Sequence, residues 1–124
     1  MNDEIDVIYN RYGTPSLRFL KNGRLVSFRG KSIGFFSNGS LFNYSGNHVG
    51  WMEHGIIRDH KGHTVGFGEN PKDLMVPFLP FKQFKPFPAF IEFEPLRPFK
   101  QFAPFKPFKS FSWSDRDPIS LFFQ

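Results

Sequence analysis

The sequence predicts an all-β fold: an antiparallel meander of about eight short strands built from 16-residue hairpin repeats, followed by a Pro/Phe-rich, polyproline II-like tail and a short C-terminal helical turn. Three observations predict it. Glycines recur without slippage 16 residues apart, as Gly23/Gly39/Gly55, Gly30/Gly46/Gly62 and Gly34/Gly50/Gly66. Asn22-Gly23 and Asn38-Gly39 are the strongest short signals for type I′ hairpin turns, and His54-Gly55 stands in the same place. Finally, every third residue from Phe78 to Phe111 is Phe, with Leu96 as the one exception.

The hairpins come first. Segments of about five residues, a normal strand length, separate the turns and place strands near 24–28, 32–36, 40–44, 48–52, 56–60 and 64–68. A looser first copy around Tyr12-Gly13-Thr14-Pro15 adds strands near 4–9 and 16–20. In the second strand of each unit, alternation sets Ile33 with Phe35, Val49 with Trp51 and Val65 with Phe67 on one apolar face. Gly34, Gly50 and Gly66 then fall on the other face. Glycine weakens a strand interior unless something needs the space, so these three mark the close approach of another backbone or ring.

The repeat domain covers 1–68, a linker 69–77, the Phe stripe 78–111 and a docking segment 112–124. A polyproline II helix has three residues per turn, so a residue repeated every three lines one face. Pro77, Pro80, Pro86, Pro95, Pro98, Pro104 and Pro107 each precede a stripe position. Proline at this density excludes an α-helix and a central strand. The stripe comprises Phe78, Phe81, Phe84, Phe87, Phe90, Phe93, Leu96, Phe99, Phe102, Phe105, Phe108 and Phe111, and a third edge is mostly basic, with Lys82, Lys85, Arg97, Lys100, Lys106 and Lys109. A disordered low-complexity tail is the bland alternative, but disorder goes with few aromatics. Beyond the stripe and Trp113, Asp117-Pro118 reads as an N-cap and first helical residue, with Ile119, Leu121, Phe122 and Phe123 as docking side chains.

Drawn straight, the stripe segment runs on the order of 100 Å, longer than one small β domain can cover. It therefore either bends back on its own domain or crosses neighbouring subunits. Bare, it is an aggregation hazard, and a closed homo-oligomer, a homotetramer above all, is the expected way to bury Trp51, the Phe stripe and Trp113.

Composition narrows the function classes. The 124 residues carry no cysteine and a formal charge of +5. No disulfide framework or thiolate site is available, no apolar run is long enough for a transmembrane helix, and Met1 to Asp6 lacks the apolar core of a Sec signal; a cytoplasmic setting is expected. The modest charge permits nucleic acid or an anionic membrane as partner of residues 78–111 without requiring either, and this is the alternative to assembly.

Chemistry has few carriers. His48, His54, His60 and His63 lie within 16 residues beside Glu53 and Asp59, yet they occupy different places in the repeat. A metal site needs three or four converging ligands, so no metal and no cofactor is expected. Asp59 with His60, or Glu53 with His54, would face opposite sides of a strand and form no ready acid–base pair. No nucleophile elbow, P-loop or dinucleotide fingerprint is present, and the chain is not expected to be an enzyme. His48, Arg58, Asp59 and His60 remain candidate binding residues for an unknown small ligand. Three PxxPx[KR] segments fall out of the period-three composition automatically, and the Asn38 and Asn43 glycosylation sequons are better explained by turn and strand positions.

The stretch Gly46-Asn47-His48-Val49-Gly50-Trp51-Met52-Glu53-His54-Gly55-Ile56-Ile57-Arg58-Asp59-His60-Lys61-Gly62, with Val65-Gly66-Phe67 behind it and a Pro/Lys-rich tail closing on Trp113-Ser114, resembles the four-fold β-flower domain, a family of small bacterial proteins. The resemblance covers most of the chain. It implies a homotetramer around a four-fold axis and no established enzymatic activity, although the regular Phe stripe departs from the family's usual tail.

Overall fold

A computed structural model describes residues 3–124. Eight antiparallel strands close into one barrel in chain order: β1 (Glu4–Tyr9), β2 (Pro15–Leu20), β3 (Arg24–Ser27), β4 (Ser32–Ser37), β5 (Ser40–Phe42), β6 (His48–Glu53), β7 (Ile56–Arg58) and β8 (Thr64–Phe67). The pair Tyr9–Phe67 joins the last strand to the first, which leaves no free sheet edge. The meander expected from the repeat is thus present, and the four hairpins β1–β2, β3–β4, β5–β6 and β7–β8 give it a four-fold regularity within a single chain.

At one end of the barrel the four hairpin turns are built alike. Asn10, Ser27, Asn43 and Asp59 each accept the N–H of the glycine three residues on, at Gly13, Gly30, Gly46 and Gly62, on their backbone oxygen. Each also uses a side-chain oxygen to accept the N–H groups two and four residues ahead. These side-chain caps compete with the ladder, which is why β5 and β7 stop at Phe42 and Arg58 rather than running on to 44 and 60. At the other end, Asn38 and His54 have φ of 49° and 54°, with positive φ at Gly39 and Gly55 as a type I′ turn requires. Asn22 does not share this conformation: the extra Lys21 makes a longer turn closed by Gly23 N–H on Leu20 O at 2.9 Å, with only Gly23 at positive φ.

The expected face assignment is corrected by a β-bulge in each hairpin. Leu25 pairs Gly34 but Val26 pairs Ser32, so Ile33 is skipped; Val49 and Val65 are skipped in the same way. The extra residue breaks the two-residue period. Ile33, Val49 and Val65 therefore pack with the interior cluster of Ile8, Leu17, Leu25, Leu41 and Ile57, whereas Phe67 joins a second cluster with Val7, Tyr9 and Ile56. Phe35 and Trp51 leave the interior likewise: Phe35 stacks on Phe42 with centroids 5.6 Å apart, and Trp51 lies 4.8 Å from His48.

The chain's C-terminus plugs the barrel. The 3-10 turn Ser120–Phe123 buries Leu121 and Phe122 in the interior cluster, while Phe123 stays exposed. Asp117 accepts from Ile119 N–H at 2.9 Å and Ser120 N–H at 2.7 Å, but the 3-10 turn starts at Ser120 behind Ile119, two residues later than the expected start at Pro118, so Asp117 closes the preceding turn and is not the N-cap. The close-approach glycines meet this plug. A Cβ on Gly34 would overlap the Phe122 ring, one on Gly66 would lie 2.9 Å from the Pro118 ring, and one on Gly50 would overlap the Arg58 carbonyl and touch Leu121 at 3.5 Å. In the first hairpin the same register position, opposite Ile8, is Leu17, which fills the space itself.

Candidate interaction surface

Residues 72–112 form an extended belt, neither helix nor strand, that passes around the barrel. The belt binds one hairpin turn every nine residues: Gln83, Glu92, Gln101 and Ser110 donate their backbone N–H groups to the oxygens of Gly13, Gly30, Gly46 and Gly62 at 2.8, 2.9, 2.8 and 3.1 Å. Backbone also meets backbone from the other side, because a Cβ on any of these four glycines would run into the carbonyl oxygen of Phe81, Phe90, Phe99 or Phe108. Only glycine admits such an approach. The dimensions agree: 34 residues of extended chain span about 100 Å, and a β domain of about 70 residues has a circumference of roughly 90 Å.

Side chains between the stripe positions hold the belt down. The side chains of Glu92 and Gln101 accept from Ser32 N–H (2.7 Å) and His48 N–H (2.8 Å), while Gln83 donates to Tyr12 O at 3.1 Å. In the last quadrant the belt backbone substitutes, with Thr64 N–H on Ser112 O at 3.0 Å. Ion pairs join Lys85 to Glu69 (3.1 Å), Arg97 to Glu94 (2.7 Å), Lys109 to Asp73 (2.8 Å) and Lys106 to Glu53. Tyr44 donates to Glu94 at 2.7 Å, and Tyr9 to Glu69 at 2.9 Å; burial, then these carboxylates, push both phenols up from their ordinary value.

Arg58 is the buckle. The residue is 7% exposed, and its guanidinium reaches the start of the belt at Asp73 (3.2 Å) and Met75 O (2.5 Å) and its end at Ser110 O (3.2 Å). Burial works against ionisation of Asp73, but hydrogen bonds from Lys109, the Met75 N–H and Arg58 hold its carboxyl well below the usual carboxylate range. A buried, multiply bonded guanidinium of this kind is costly to leave half-satisfied.

With its backbone and flanking side chains turned to the barrel, the belt presents its stripe to solvent. Phe78, Phe81, Phe84, Phe87, Phe90, Phe93, Leu96, Phe99, Phe102, Phe105 and Phe108 are 92–102% exposed, and Phe111 is 59% exposed. The stripe therefore does not pack on its own domain. At about 150 Å² per ring it amounts to well over 1,500 Å² of continuous apolar surface, against the few hundred Å² that monomers ordinarily show.

The other sequence candidates lie beneath or beside the belt. Trp51 is 6% exposed and packs on His48 and His60, and the half-buried Trp113 faces Phe67 at 6.5 Å with Arg11 over its ring. His48 and His60 do meet: Nδ1 of the first lies 3.0 Å from Nε2 of the second, and Nε2 of His48 lies 3.0 Å from Ser40 Oγ. Burial, then repulsion from His60, pushes the His48 pKa down to about 4. Arg58 and Asp59 part company, the first buckling the belt, the second capping its turn and accepting from Ser114 Oγ at 2.5 Å. Among the described residues no three His, Cys, Asp or Glu side chains converge to hold a metal ion.

The sequence reading named the stripe but not Gln83, Glu92, Gln101 and Ser110, the residues that place it. Their signal was available: the tail repeats in nines as well as threes, and its four nonapeptides match the four hairpins. No curated protein and no solved structure matches the chain. The model of one family, described as 4-fold beta flower protein, matches residues 6–123. Nearly the whole chain, hairpins, belt and plug, is thus accounted for by one pattern, and the protein belongs to the 4-fold beta flower family.

Proposed function

We propose that this protein is a non-enzymatic, self-associating module whose contact surface is the Phe ring. One observation carries the reading: a continuous stripe of exposed side chains, eleven Phe and Leu96, on a belt that is itself firmly seated. Water is a poor solvent for that surface, and a second copy offers a dry, matching one. Phe rings stack with each other without any polar group to satisfy.

The alternative, a grip on nucleic acid or an anionic membrane through residues 78–111, needs free cations. Four of the six basic side chains of this stretch are paired with carboxylates of the same chain, leaving Lys82 and Lys100 among the described residues. The four-fold order that a tetramer would supply is already present inside one chain, so association rests on the ring and not on an axis through four subunits.

Light scattering on the full chain tests this. A mass above that of one chain is expected, and raising salt should increase it, because screening weakens the repulsion between copies that each carry a net +5. The pair Phe93→Ser and Phe102→Ser should lower it. A full chain that stays monomeric at every concentration and salt would contradict the proposal. Salt-weakened capture of an oligonucleotide would support the alternative.

A further inference from the structure

The turns 10–14, 27–31, 43–47 and 59–63 join the paired strands of an up-and-down barrel, so all four lie at one end. The C-terminal plug enters there, bonded to Asn43 and Asp59. Five exposed cations crowd this end: Arg11, Arg29, Lys31 and Lys61 on the turns and Arg116 on the plug. None of them forms an ion pair among the described residues, whereas the belt cations Lys85, Arg97, Lys106 and Lys109 all do. Of the carboxylates here, Asp59 and Asp117 accept hydrogen bonds within their own loops, and Asp59 also from Ser114. These cations line connected clefts. One of about 520 Å³ holds Lys61, His63 and Arg116. The next, about 220 Å³, holds Arg116 again with Arg11, Tyr12 and Trp113. A third, about 360 Å³, holds Phe28 and Arg29 and shares Asn10 and Asp117 with the second. Together they form a curved groove along the plug, from the turn 59–63 to the turn 27–31.

We infer that this groove binds single-stranded nucleic acid, a role beyond self-association and at a different part of the molecule from the Phe stripe. The unpaired cations supply charge for phosphates, and a cleft lined by one sign of charge concentrates its field. Flat side chains stand among the charges. Tyr12 is 70% exposed, and the Arg11 guanidinium lies over both Tyr12 (5.7 Å) and Trp113 (5.8 Å). Cations along a groove with aromatic faces beside them are what an unpaired strand requires: backbone on the charges, bases on the rings. A duplex keeps its bases stacked inside and has none to offer Tyr12. An anionic bilayer fits less well, because it is flat and would press Asp59, Asp115 and Asp117 of this concave end against lipid phosphates.

The experiment is fluorescence anisotropy of short labelled oligo(dT) and oligo(rU) titrated with the full chain over a salt series. Five phosphate contacts predict a slope of log affinity on log salt of about −3.5, or about a 100-fold loss between roughly 50 and 200 mM salt. Arg29→Gln, Lys31→Gln, Lys61→Gln and Arg116→Gln together should flatten that slope to about −0.7. Tyr12→Ala should weaken binding about fivefold or more and leave the slope unchanged. Capture of either oligomer supports the inference, and the tighter of the two distinguishes DNA from RNA. Absence of saturable binding at the lowest salt overturns it. Binding that survives the four Gln changes but is lost on Lys82→Gln with Lys100→Gln assigns capture to the belt and overturns it as well. So does transfer of the chain onto phosphatidylserine vesicles without capture of either oligomer, in favour of a lipid surface. The salt series on the intact chain and the Tyr12 variant decide the matter where the fourfold variant fails to fold.

Discussion

The barrel and the belt are both four-fold repeats of the same chain, and they treat apolar residues in opposite ways. The barrel turns Ile8, Leu17, Leu25, Leu41 and Ile57 inward and fills the remaining space with Leu121 and Phe122. The belt turns its main chain inward and sends its rings out. In the barrel, side chains do the holding and the backbone pairs with itself. In the belt, the backbone, carboxylates and one arginine do the holding. The same residue type, Phe, is structural at 122 and superfluous to the fold at 102.

That contrast can be broken from its strongest point downward. Arg58→Ala removes the buckle, leaves Asp73 with a buried charge short of a partner and strands two belt carbonyls; a loss of about 3–5 kcal/mol is expected in urea unfolding. Phe122→Ala opens a cavity at the barrel mouth and should cost a comparable 3–5 kcal/mol or so. Phe102→Ser, on the belt, should shift monomer stability by no more than about 0.5 kcal/mol while weakening association. Equal losses at 102 and 122 in a dilute sample would erase the distinction between the two regions.

Acid should act on the flank of the barrel. His48 is held neutral by burial and by His60, with a pKa near 4 in the fold against about 6.5 in the unfolded chain. The unfolded chain therefore binds the proton first. The stabilising contribution is complete above pH 6.5, declines as pH falls toward 4 and is gone below that. Thermal melts between pH 7 and 4 should show this slope, and His48→Gln should flatten it.

Much of the fold was legible because it is local. Asn38-Gly39 and His54-Gly55 fix turns within four residues, and strands between them have little choice of partner. The facing of Phe35 and Trp51 was not legible, because one skipped residue in each hairpin moves them from interior to flank and no residue type announces a bulge. Gly34, Gly50 and Gly66 announced a close approach but not its source, since the ring that meets Gly34 lies 88 positions away at Phe122. The stripe at 78–111 was plain as a pattern. Its exposure was not, because the expectation that apolar surface is buried points the wrong way when the backbone takes the inward face.

Backbone amide hydrogen exchange in a variant with every stripe position from 78 to 111 changed to Ser tests the belt most directly. Seating at the hairpin turns predicts slow exchange at Gln83, Glu92, Gln101 and Ser110, nine residues apart, and at Ala89, which donates to Phe28 O, and fast exchange at stripe amides such as 84, 93 and 102. Uniformly fast exchange from 78 to 111 would mean that the belt is not bound to the barrel, and the outward ring would have no frame to hold it.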